Sequence, residues 1–112
     1  MYSKPEIYEY LPPYLDEFFS FIGSKFSLKK MRRLYFKHII KNVERDGVTT
    51  IVLLPELNYP EKYWICLYFK DDVLFAFATG MEEYLLPPNQ IPPKFIDKTV
   101  EILSKCKINN YH

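Results

Sequence analysis

The sequence predicts an α+β fold: a three-stranded antiparallel meander over residues 48–54, 63–69 and 73–79, packed with helices over residues 14–22, 27–45 and 93–107. Three observations predict it. The middle of the chain is rich in β-branched and aromatic residues broken by turn signals, whereas the flanking segments space their apolar residues at helical intervals. With 112 residues, 48% hydrophobic and 18% aromatic, the chain can bury a core without metal or disulfide staples, which predicts a single domain over 1–112.

A short helical segment, Glu6 to Leu11, is closed by Pro12 and Pro13, leaving a loose N-terminus. Pro13 suits a first helical turn. Leu15, Phe18, Phe19 and Ile22 then fall at i, i+3, i+4 and i+7, and Gly23 stands where a left-handed cap belongs. Ser27 is a good N-cap for a second helix, with Asp46-Gly47 as its stop. The stripe Leu28, Met31, Leu34, Tyr35, Ile39 and Val43, joined by His38, would face the core.

The next three segments alternate like strands. Lys70-Asp71-Asp72 marks a tight turn between the last two. One face of residues 63–69 would show Tyr63, Ile65, Leu67 and Phe69, and the other Trp64, Cys66 and Tyr68. Val73, Phe75 and Phe77 would likewise oppose Leu74, Ala76 and Ala78. Both faces are apolar, which predicts cover on both sides, or on one side by a second subunit. After Gly80, Met81 to Leu86 forms a short helical turn, and the proline-rich stretch from Pro87 to Pro93 an extended connector. The final helix carries Ile96, Val100 and Leu103 on one stripe, with Asp97 early and Lys105 and Lys107 late. Asn109 to His112 reads as a frayed tail.

The charge is unevenly placed. Between Lys25 and Arg45 lie eight of the fifteen basic residues and one acid, Glu44, so a net charge of +1 hides a segment of +7 and a remainder of −6. On a helix over 27–45, Lys29, Lys30, Arg33, Lys37 and Lys41 would spread over about 120° opposite the apolar stripe. That face would neutralise nucleic-acid phosphates, with Arg32 and Lys25 at its margin. The bland alternative is a solvated face, or pairing with the acidic remainder.

Other chemistry has less support. His38 lies near an apolar stripe and His112 is the last residue, so no His/Cys cluster has metal-ligand spacing, and no metal or other cofactor is expected. Cys66 reads as a buried strand thiol, and Cys66 with Cys106 as free thiols of a reducing compartment. Asp71-Asp72 and Glu82-Glu83 could hold a divalent metal in a small nuclease, but both pairs fit turns. Three glycines leave no phosphate-binding glycine loop, and the chain reads as non-enzymatic. The N-terminus MYSKPEIYEYLPP is unlike an export signal, and the longest apolar run, Val73 to Ala78, falls far short of the roughly 20 residues of a membrane helix. A cytoplasmic protein without membrane or small-molecule partners is expected.

Helix, short turn, longer basic helix and strands, over Tyr14 to Phe69, resemble the element order of winged-helix DNA-binding domains, although the wing segment, Pro55 to Glu61, carries Glu56 and Glu61 and no base. The composition, with abundant Tyr, Ile, Lys and Pro, few glycines and a single glutamine at Gln90, resembles that of small proteins of filamentous and rod-shaped viruses of hyperthermophilic archaea. That resemblance implies a heat-tolerant viral factor in a host cytoplasm. The leading functional expectation is a nucleic-acid-binding accessory protein, binding DNA or RNA through Lys29, Lys30, Arg33, Lys37 and Lys41. The alternative is an interaction or assembly factor, a homodimer joined through aromatics such as Tyr59, Tyr63 and Trp64.

Overall fold

A computed structural model describes residues 13–58, 63–81, 83–86 and 90–108. The expected helix Glu6 to Leu11, the residues Tyr59, Glu61 and Glu82, the connector Pro87 to Asn89 and the tail 109–112 lie outside the described residues.

A 3-10 turn, Pro13–Leu15, leads into α1, Asp16–Phe19, and α2 covers Leu28–Leu34. Five strands follow: β1 Ile39–Arg45, β2 Val48–Leu53, β3 Tyr63–Lys70, β4 Val73–Met81 and β5 Tyr84–Leu86. The chain closes on α3, Pro93–Cys106. All neighbours in the sheet are antiparallel and the order is β1-β2-β3-β4-β5, an uninterrupted meander.

The α+β class and the last helix match the sequence, and the three expected strands are present, but the sheet has five strands, not three. The largest correction concerns residues 27–45. The helix stops at Leu34, Tyr35 serves as its C-cap, and residues 39–45 form β1. Asp46 and Gly47 have φ of 54° and 79°, the double left-handed geometry of a two-residue hairpin turn. Asp46-Gly47 is therefore a β1–β2 hairpin, not a helix stop. Ile39, Ile40 and Val43 suit a strand as well as a helix. This breaks the winged-helix order, because among the described residues no long basic helix precedes the sheet.

Three smaller corrections have local causes. The expected helix 14–22 is divided into the 3-10 turn and α1, and its last residues form a turn that ends at Gly23 with φ of 90°. The segment 81–86 reverses direction around Glu83, φ 75°, so Tyr84–Leu86 is an edge strand rather than a helical turn. In β4 the pairing jumps from Phe69↔Leu74 to Tyr68↔Ala76, which makes Phe75 an extra residue. The bulge restores Phe77 to the face of Leu74, whereas simple alternation would part them.

The helices lie on one face of the sheet. Ile51 and Leu53 of β2, Ile65, Leu67 and Phe69 of β3, and Leu74 of β4 meet Phe18, Phe26, Met31, Phe95, Ile102 and Leu103 in one buried cluster. Aromatic rings tie the layers edge to face: Phe26 to Phe69 at 5.9 Å and Phe18 to Phe77 at 4.2 Å. Ser27 caps α2 by accepting the Lys30 N–H at 3.1 Å, so that Leu28, Met31 and Tyr35 turn inward. The loop 23–26 is stitched to the start of β4 by Gly23 N–H to Leu74 O at 2.7 Å and Phe26 N–H to Asp72 O at 2.7 Å. Among the described residues no helix is long and apolar enough to cross a membrane.

Candidate nucleic-acid interface

Because α1, α2 and α3 share one layer, the opposite face of the sheet carries no helix among the described residues. The pairing register places three rows of side chains across it. Arg45, Val48, Lys70 and Val73 form the row at the turn end. Val43, Thr50, Tyr68 and Ala76 form the second, and Lys41, Val52, Cys66 and Ala78 the third. Beyond them Trp64 lies beside Gly80 and Leu85. Hydrophobic strand residues expected to need cover on both faces are thus covered on one among the described elements.

Lys41, Val43, Arg45, Thr50, Val52, Cys66 and Tyr68 line a shallow depression of about 530 Å³. That lies within the size range of small-molecule sites, but its openness suits an extended ligand better than an enclosed one. Phe75, raised by the bulge and half exposed, stands with its ring 6.3 Å from Tyr68. The face therefore combines Tyr68, Phe75 and Trp64 with three cations, Lys41, Arg45 and Lys70. Its marginal acid is Asp71, at the hairpin turn, whereas Glu44 points to the other face, where it accepts a hydrogen bond from Thr49 Oγ1 at 3.5 Å.

The thiol of Cys66 forms the floor, 7% exposed. Burial raises its pKa, against smaller downward pulls from Tyr68 and Lys41, so the neutral thiol dominates near neutral pH. The Tyr68 hydroxyl is also raised, first by its hydrogen bond to Cys66 and then by burial. Cys106 sits in the helix layer, its pKa raised by burial, so the sheet separates two free thiols.

The five basic residues picked from the sequence do not share a face. Lys29, Lys30 and Arg33 are exposed on α2, Lys37 is exposed in the turn before β1, and Lys41 belongs to the far side of the sheet. None of the five forms an ion pair with a described residue. Arg32 marks the dividing line: its Nη2 donates to Asn42 Oδ1 at 3.3 Å on the helix side, one residue from Lys41 on the open side. Strand alternation separates what helical geometry would have joined.

Sequence reading missed Arg45, Lys70, Tyr68 and Phe75 as members of one surface. The available signal was Asp46-Gly47 between two runs of β-branched residues, a strong short-range hairpin mark. Of the alternative aromatics, Tyr63 turns to the helix side, 5.0 Å from Phe95, and Trp64 to the open side. Asp71 and Asp72 have φ of 54° and 65° and form a tight turn, and no group of His, Cys, Asp and Glu among the described residues is arranged to hold a metal. No family model, curated protein or solved structure matches the chain.

Proposed function

We propose that the protein is a non-enzymatic binder of single-stranded nucleic acid and that the strand lies across the helix-free face of the sheet. The observation that carries this reading is the placement of Lys41, Arg45 and Lys70 on the same face as Tyr68, Phe75 and Trp64. Cations of this kind hold phosphates, and aromatic faces stack unpaired bases without needing a sequence code. A duplex fits less well, because the α2 cations sit on a separate surface and the described residues offer no long basic helix for a groove. The expected binding helix of the sequence reading is thereby replaced by a sheet, while Lys41 keeps its role.

Trp64 is the single tryptophan and reports on this face directly. Titration with oligothymidylate and oligouridylate should change its fluorescence, with DNA and RNA distinguished by the two arms. Replacing Lys41 and Arg45 by Gln should weaken binding and flatten the log-log salt slope by about 1.4, the loss of two single-strand phosphate contacts. The pair Lys29→Gln and Arg33→Gln should leave the slope nearly unchanged. Absence of retention of the wild-type protein at low salt, or a slope carried by the α2 pair instead, overturns the reading.

A further inference from the structure

The two edges of the sheet differ. On one side the start of β4 is covered by the 23–26 loop and β5 is three residues long. On the other, β1 runs for seven residues with nothing beyond it among the described elements. The two-residue turn at Asp46-Gly47 makes Arg45↔Val48 a hydrogen-bonded pair, so Val43 and Lys41 also bond inward to β2. The backbone N–H and C=O of Asn42 and Glu44 therefore point outward, with no recorded main-chain partner. Beside them Leu34, Phe36, Ile40 and Val43 are 49, 66, 55 and 38% exposed, an apolar concentration at this edge.

We infer that β1 pairs with β1 of a second copy, antiparallel about a two-fold axis at Asn42, joining two sheets into one of ten strands. The edge itself selects this register. Pairing centred on Lys41, Glu44 or Arg45 opposes each charge to itself, and centring on Val43 sets Lys41 against Arg45, all unfavourable. Centring on Ile40 reaches into the turn at residues 36–38 and leaves a ladder too short to hold. Centring on Asn42 sets Val43 against Lys41 and Glu44 against Ile40. It also brings the second copy's Glu44 diagonal to Asn42, where Arg32 already reaches. Diagonal neighbours are roughly 7–8 Å apart, within range of an arginine.

Charges and a bulge on an edge strand ordinarily discourage pairing. Here they narrow it to one self-complementary alignment, the property an isologous two-fold contact requires. The axis is perpendicular to the sheet, so both helix-free faces end on the same side. Lys41 and Arg45 of both copies then form a central basic stripe, whose role in nucleic-acid binding rests on the reading above; the dimer itself does not.

Sedimentation of the full chain without nucleic acid tests the pairing. The wild type should approach twice 13.5 kDa as concentration rises. Asn42→Pro removes an outward N–H and no β1–β2 bond, so it should yield a folded monomer with an unchanged circular dichroism spectrum. Asn42→Cys places two thiols on the axis and should form a disulfide-linked dimer on mild oxidation, whereas Val43→Cys should not. A wild type that stays monomeric at high concentration, a dimer that survives Asn42→Pro, or cross-linking through Val43→Cys rather than Asn42→Cys each overturns the inference. Because mass is read in the absence of oligonucleotide, loss of nucleic-acid binding alone leaves this result intact.

Discussion

The indole of Trp64 occupies the space that a side chain at position 80 would need: a Cβ built on Gly80 falls inside contact distance of three ring atoms. The two residues are directly paired across β3 and β4, so the ring packs on bare backbone of the neighbouring strand. Gly80→Ala should therefore destabilise the fold by about 1–3 kcal/mol through overpacking. Urea unfolding should show the loss, and altered Trp64 emission in the folded variant would show the ring displaced.

The hairpin between β3 and β4 turns on two aspartates in left-handed conformations. Asp tolerates this geometry, but Asn followed by Gly matches it better. The double change Asp71→Asn and Asp72→Gly should raise stability, read from the denaturation midpoint, because relief of a left-handed strain of about 1–2 kcal/mol exceeds the added chain entropy of glycine.

Removal of the α2 cap should act in the opposite sense. The Ser27 hydroxyl accepts the Lys30 N–H at 3.1 Å, and the helix it starts has only two turns in which to carry Leu28 and Met31 into the core. Ser27→Ala should cost about 1 kcal/mol of unfolding free energy.

His38 gives the fold an acid sensitivity. Its Nδ1 is buried without a described partner, and burial, aided by Lys98 and opposed by Glu56, lowers its pKa below 6.5. On acidification the unfolded chain takes up this proton first, so stability declines as pH falls from about 6.5 to the lowered value and is complete above that window. Each pH unit within it is worth about 1.4 kcal/mol at most, less because the ring is partly solvated. The fall in melting temperature between about pH 7.5 and pH 5 should be larger for the wild type than for His38→Phe, which has no imidazole to protonate.

Much of the fold was legible. The turn at Asp71-Asp72, the alternation of Ile65, Leu67 and Phe69, and Pro93 at the first turn of α3 all act locally, and the structure uses them as local rules predict. The bulge at Phe75 was not legible, since a one-residue insertion shows only when β3 lies alongside. Of the candidate surface the sequence showed the concentration of basic residues between Lys25 and Arg45, but not their distribution over separate faces nor the aromatic side chains beside Lys41. Of the residues on that face the sequence named Lys41; Arg45, Lys70 and Tyr68 came together with it only through strand pairing.

Composition, period and turn residues by themselves determined an α+β chain with strands over the middle and a closing helix. Tertiary structure decided residues 35–45. Their apolar positions Tyr35, Ile39 and Val43 satisfy a helical stripe, yet Ile39, Ile40 and Val43 also satisfy a strand, so local periodicity leaves two answers. As a helix this segment would leave the β2 groups at Val48, Thr50 and Val52 without the ladder they make to Arg45, Val43 and Lys41. Hydrogen bonding of the exposed β1 to the half-buried β2 outweighed helix propensity, and that choice moved Lys41 from a helix face to an open sheet.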